Sequence, residues 1–149
     1  MLFLLPFALG IVAGLRTMTP LAALAWAGYL GWLDFSGTPY AFVGHGATAL
    51  VLTVLALGEL VTDQLPNTPS RRVPVQFGTR ILVGALAGGL LSGDWLVGLA
   101  LGAMGAIVGT VGGAAARSRL ASTLGKDRPA ALIEDAVAIL AAVAIVYLA

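Results

Sequence analysis

Long apolar runs interrupted by short polar clusters dominate the pattern of this chain. Residues 2 to 15 and 20 to 33 are apolar and are separated by Arg16-Thr17-Met18-Thr19-Pro20. A loop with Asp34, Gly37 and Pro39 follows, then an apolar segment from about His45 to Leu65. Residues 66 to 77, PNTPSRRVPVQF, hold three prolines and two arginines and read as a loop. The pattern places a fourth segment at about 78 to 92, closed by Ser92-Gly93-Asp94, a fifth at about 95 to 117, and a sixth from Pro129 to the C-terminus. A full crossing takes about 20 apolar residues, because the hydrocarbon core is about 30 Å thick and each helical residue rises about 1.5 Å. The third, fifth and sixth segments meet that length. The first, second and fourth are short, and are expected to tilt, stop part-way or form a re-entrant hairpin, where protein or a wet cavity satisfies the freed backbone groups. The expected fold is an all-α, polytopic transmembrane helix bundle of about six segments, some short or broken, in a single domain over residues 1–149.

Composition decides the solvent. Of 149 residues, 59% are hydrophobic and 10% charged, with a mean hydropathy of +0.98, whereas a soluble domain carries about 25% charged residues. The chain therefore uses lipid as its solvent. A net charge of +1 leaves no basic face of the size nucleic acid requires. The absence of cysteine excludes disulfides, thiolate metal sites and a cysteine nucleophile, and the single histidine, His45, excludes a multi-histidine metal site within one chain. The first basic residue, Arg16, follows the opening apolar run rather than preceding it, so that run is expected to stay in the mature protein.

Charge also orients the segments. Arg71 and Arg72 lie in the third-to-fourth loop, and Arg117, Arg119, Lys126 and Arg128 surround the fifth-to-sixth connection, while the other loops carry Asp34 and Asp94. The positive-inside rule makes the two basic loops cytoplasmic. Threading six segments then puts both termini outside an inner membrane, and Arg16, Glu59, Asp63, Arg80, Arg117, Glu134 and Asp135 toward the cytoplasmic side.

The fifth segment carries Gly98, Gly102, Gly105, Gly109, Gly112 and Ala116 at spacings of 4, 3, 4, 3 and 4, which puts them on one helical face. Such a small-residue seam lets another helix approach closely, and a pore-lining backbone is the alternative use. Shorter seams run from Gly10 to Gly14 and from Gly84 to Gly88. Intimate bundling and homo-oligomerisation through these seams are the expectation.

Four acids and an arginine carry the candidate chemistry. Glu59 and Asp63, one turn apart, stand near the C-terminal end of the third helix, where the helix dipole disfavours carboxylates by about 0.3–1 kcal/mol each. They are either solvated at the headgroups or directed inward, where they need a basic partner, a cation or a proton. Glu134 and Asp135 lie about 8 Å past Pro129, deeper than simple dipole compensation requires. Oxygen-only ligands from Glu59, Asp63, Glu134 and Asp135 would favour a hard metal cation. Thr19 before Pro20 reads as an N-cap followed by proline at N1. With Arg16 and Thr17 beside it, that helix start is an anion site, filled either by a ligand phosphate or carboxylate or by the chain's own acids. Arg117 and Arg119 suit the end of the fifth helix as anchors, and His45 reads as an interfacial residue. No nucleophile–base pairing and no nucleotide-binding glycine loop occurs, so neither enzyme activity nor a cofactor is expected.

The stretches GIVAGLRTMTP, GELVTDQLPNTPSR, GAMGAIVGTVGGAAARSRL and ALIEDAVAI together resemble the bacterial membrane-protein family catalogued as domain of unknown function 4126. The resemblance covers nearly the whole chain and implies a polytopic membrane protein with no established activity. The chain departs at Gln64, where members often carry lysine, so no lysine role transfers. Three functions are open: a transporter or channel handling a cation or protons through the Arg16, Thr17, Thr19, Glu59, Asp63, Arg117, Glu134 and Asp135 region; binding of an anionic lipid headgroup or phosphate-bearing substrate through Arg16, Arg80 and Arg117; and a structural scaffold of internal ion pairs. The expected partners are membrane lipids, a small ion or solute, and further copies of the chain, with no nucleic acid.

Overall fold

A computed structural model describes residues 3–63 and 73–149. Six helices are present among them, α1 (Leu4–Leu15), α2 (Thr19–Tyr29), α3 (Gly46–Thr62), α4 (Pro74–Leu91), α5 (Trp95–Leu124) and α6 (Asp127–Tyr147), with a 3-10 turn at Ala41–Gly44 and no strand among the described residues. The all-α expectation holds. Three helices, α4, α5 and α6, are long and apolar enough to cross a membrane, while α1 and α3 are apolar but shorter.

Segment lengths differ from the sequence reading in an instructive way. The fourth helix starts at Pro74 rather than near residue 78, because Pro74 takes an initial helical position where no N–H is needed, and this brings α4 to spanning length. Asp63 closes the third helix, which is shorter than expected, and the rest of GELVTDQLP with Arg71 and Arg72 lies outside the described residues. The fifth helix continues about two turns past Arg117 to Leu124 and stops at Gly125, whose φ of 69° is the left-handed value glycine tolerates. Its apolar run ends at Ala116, but helix formers continue, so hydropathy located the end of the apolar run rather than the end of the helix. The sixth helix likewise begins at Asp127, ahead of Pro129.

The helices run back and forth between two ends. Asp135 of α6 meets Arg16 at the start of α2, and Tyr147 at the far end of α6 packs edge-on against Trp32 just beyond α2, so α2 and α6 are parallel. At that far end Tyr40 stacks on Trp95, with ring centroids 5.1 Å apart. The chain therefore reverses at Arg16-Thr17-Met18, and α1 and α2 form a hairpin of two short helices. Its apex meets α6 at Asp135, two turns past the helix start at Asp127, or about 12 Å along the axis.

Glycine fixes the core around α5. The would-be Cβ positions of Gly98 and Gly102 collide with the backbone of α4 at Gly84 and Gly88, and those of Gly105 and Gly109 collide with the backbone of α1 at Phe7 and Ile11. Gly10 and Gly14 meet α5 from the other side at Gly102, Ala106 and Gly109. Helix α5 is thus clasped between α1 and α4 with backbones in direct contact. The seam from Gly98 to Gly109 is consumed inside one chain, so these glycines supply no surface for a second copy; Gly112 alone of the series faces open space.

The periphery is looser. Helix α3 leans on α2, where the Trp26 indole N–H donates to Thr53 Oγ1 at 2.8 Å, and buries only Ala49 fully. Leu50, Val54, Leu57 and Val61 stay exposed, the arrangement of a helix solvated by lipid.

Candidate functional site

The reversal at Arg16 creates a polar demand among buried residues at one end of the bundle. Helix α1 ends at Leu15 with unsatisfied carbonyls, and α2 begins at Thr19 with unsatisfied N–H groups, both away from bulk water. Opposite charges from other helices answer each of them. Arg80 of α4 donates from Nη1 to the carbonyl oxygens of Gly14 at 3.1 Å and Leu15 at 2.9 Å. Glu59 of α3 accepts from the backbone N–H of Thr17 at 2.7 Å and of Met18 at 2.8 Å, one with each carboxylate oxygen.

These contacts correct the expected cap. Met18, not Thr19, is the N-cap, Thr19 and Pro20 are the first helical residues, and no side-chain cap bond forms within the segment. A carboxylate accepts a charge-assisted hydrogen bond, stronger than one to a threonine hydroxyl, and it arrives from α3. The anion expected at this helix start is therefore the chain's own Glu59.

Arg16 is fully buried at the apex. Its Nε donates to Asp135 Oδ1 at 2.5 Å, its Nη2 lies 2.5 Å from the same oxygen, and its Nη1 pairs with Asp63. Arg80 Nη2 stands 3.6 Å from Glu59 and 3.9 Å from Asp63, and Asp63, which also pairs with Arg16, joins the two arginines. Thr110 of α5 lies buried nearby against Gly14, its hydroxyl donating to the Ala106 carbonyl at 2.7 Å. Two guanidinium groups thus face three carboxylates, from Glu59, Asp63 and Asp135, contributed by α3 and α6.

A second pair lies beside this cluster. Arg117 forks onto Asp127, Nε at 3.1 Å and Nη2 at 2.6 Å, and its Nη1 is 3.6 Å from Glu134. Glu134 and Asp135 therefore serve different arginines, as their roughly 100° separation around α6 requires. The four acids named for a metal are not gathered into a cage, and among the described residues no group of three or more His, Asp or Glu is placed to hold a metal ion. The Asp127 side chain is 63% exposed, so Asp127→Asn is expected to cost less than about 1 kcal/mol. A detergent thermal melt reads this directly, and a loss several times larger would mean that the pair braces the α5–α6 turn.

All the polar residues singled out at the Arg16 break and in GELVTD and ALIED converge on one end of the bundle, except that Thr19 turns away to line an apolar groove between α2 and α3. Arg119 is outside the network, and His45 lies at the opposite end beside Asp34. There the Ser36 hydroxyl and N–H hold the Asp34 carboxyl below its ordinary range. Sequence reasoning did not give Arg80 its capping role or name Asp127. A lone arginine inside an apolar run was the available signal for Arg80; Asp127 offered none, since acids at helix starts are common.

A family model described as Domain of unknown function (DUF4126) matches residues 3–149. No curated protein and no solved structure matches the chain.

Proposed function

This chain belongs to the DUF4126 family, whose description assigns no activity, and from its own residues we propose that it is a small membrane transporter or channel for protons or a small cation. The observation that carries this reading is a surplus of carboxylate among the described residues: buried Asp135 and the mostly buried Glu59 and Asp63 against the guanidinium groups of Arg16 and Arg80, in a site formed where five helices meet. Glu59 is met in part by the N–H groups of Thr17 and Met18, but a carboxylate left short of positive charge is expensive in a medium of low dielectric, and a proton or a cation relieves it. Arg16 bridges Asp63 on α3 and Asp135 on α6, so loading either acid frees the arginine toward the other and couples occupancy to the spacing of two helices. In this reading the basic residues at the α5–α6 turn support a cytoplasmic position for this end in an inner membrane, with both termini outside and lipid around the exposed helices. The protein acts without catalysis.

Reconstituted liposomes test the proposal. Wild-type protein should pass protons, Na⁺ or K⁺ down an imposed gradient, and Asp135→Asn should cut that flux by about tenfold or more, the effect of losing roughly 1.4 kcal/mol of cation stabilisation. No flux of any of these ions through wild type, or equal flux in the variant, overturns it.

A structural reading is favoured by a separate observation: each arginine of the cluster is engaged by protein acceptors, so the network also works as a clasp. In that case wild-type liposomes are silent while the variants differ only in stability. An anionic headgroup site at Arg16 has less support, because Arg16 is fully buried and bonded to two of the chain's own acids.

A further inference from the structure

An apolar groove of about 330 Å³ lies between α2, α3 and α6. It exists because α3 and α6 both lean on α2 with little contact between themselves, which leaves a side opening toward lipid. Ala23 and Trp26 of α2 form its floor, Ala56 and Leu60 its α3 wall, and Ile139 and Ala142 its α6 wall.

The walls have a direction. On α3, the stripe of Ala56 and Leu60 continues at helical spacing to Asp63; on α6, the stripe of Ala142 and Ile139 continues to Asp135. Both acids bond Arg16, which precedes Thr19 at the near end of the groove floor. The same helix faces that wall an almost wholly apolar groove therefore carry one carboxylate each about a helical turn beyond its lining, near a third from Glu59. A slot with hydrocarbon walls and carboxylates one helical turn beyond its lining complements a molecule with an apolar body and a cationic head. Hydrocarbon alone would fill the walls and leave the surplus charge unmatched.

Resting on the cation-transport reading, we infer that the substrate is an amphiphilic organic cation, which enters sideways from the membrane between α3 and α6. Its apolar body lies in the groove and its charge takes the place of Arg16 at Asp135 or Asp63. Arg16 is then the tethered cation that holds the site closed when no substrate is bound. No covalent step is involved, and charge balances because the displaced guanidinium keeps one of its two carboxylates.

Equilibrium dialysis of the detergent-solubilised full chain against tetraphenylphosphonium tests this, with tetraphenylborate as the anion of matched shape. Wild type should bind the phosphonium saturably above empty micelles and the borate not at all saturably. Asp135→Asn should weaken the phosphonium by about tenfold or more, one carboxylate being worth roughly 1.4 kcal/mol here. Ala56→Trp, which fills the groove from its α3 wall, should abolish binding, and Ala23→Leu does the same work from the floor if the tryptophan variant does not fold. Equal binding of both ions, phosphonium binding indifferent to all three substitutions, or a co-purified lipid that the phosphonium does not displace overturns the inference. Liposomes that pass protons or K⁺ while the protein binds no phosphonium overturn it and leave cation transport standing. Saturable, groove-dependent phosphonium binding without movement of any cation upholds the site and overturns transport.

Discussion

Arg16→Met should be the most damaging single substitution in the polar network, lowering stability by about 3–5 kcal/mol, the range for removing one partner of a buried ion pair. Methionine matches the apolar length of the side chain, so packing alone is little disturbed. What it leaves behind is Asp63 and Asp135, both mostly buried, with no arginine bonded between them and Arg80 3.9 Å from the former. The α1–α2 reversal also loses the charge around which it is built. A loss of this size is a large part of the roughly 5–15 kcal/mol that holds an ordinary domain folded. A large fall in detergent melting temperature and in the yield of monodisperse protein is therefore expected. Adding Asp63→Asn and Asp135→Asn should restore much of the loss, because neutral partners remove the uncompensated charge even though the arginine is gone. A melt for Arg16→Met close to wild type, or no recovery in the triple variant, would show that the pairing geometry does not govern stability. The comparison with Asp127→Asn sharpens the test: a well-formed pair whose carboxylate is exposed, and whose arginine keeps Glu134 beside it, should be nearly silent.

Gly102→Val should prevent correct assembly of the three-helix core. The added Cβ falls 2.9 Å from the Gly84 carbonyl carbon and 3.1 Å from Gly88 Cα, and it collides with the Gly84 carbonyl oxygen. Those atoms are helical backbone of α4, so no side chain can swing away, and α5 must separate from α4 while α1 packs its Gly10 against the same residue. Ordinary overpacking costs about 1–3 kcal/mol when side chains can adjust; here the obstacle is rigid, and the cost should exceed that range. Gly112→Ala is the matched control, since nothing stands within 4 Å of its would-be Cβ. It should be neutral or stabilising, by up to about 1 kcal/mol from helix propensity. Size-exclusion profiles and thermal melts of the two variants distinguish the cases, and similar behaviour would mean that the close approach at Gly102 is not required.

Much of the architecture is legible without coordinates because lipid imposes a simple rule: apolar runs of helical length must hydrogen-bond internally. The six helices and the break at Arg16 follow from that rule. Helix ends were less legible. The extension of α5 to Leu124 carries polar residues into water, where hydropathy no longer reports helix, and the gain of a turn by α4 depends on the small preference of Pro74 for an initial position. The identity of the cap at α2 was out of reach for a different reason. Thr19 had the right local chemistry, but Glu59, some forty residues away, offered a charged acceptor to the preceding N–H groups.

The sequence by itself determined the solvent, the helical segments, the polar interruption and the residue types at stake, because each depends on composition or on spacing within one helix. Only the tertiary structure decided which acid met which arginine. Glu134 and Asp135, adjacent in the chain, went to Arg117 and Arg16 respectively, and Arg80 was drawn onto the exposed carbonyls of α1. It also turned the glycine seams inward, to join helices of the same chain. Pairing of this kind depends on which helix ends share a depth and a face once backbones touch, and no spacing along a single helix encodes that.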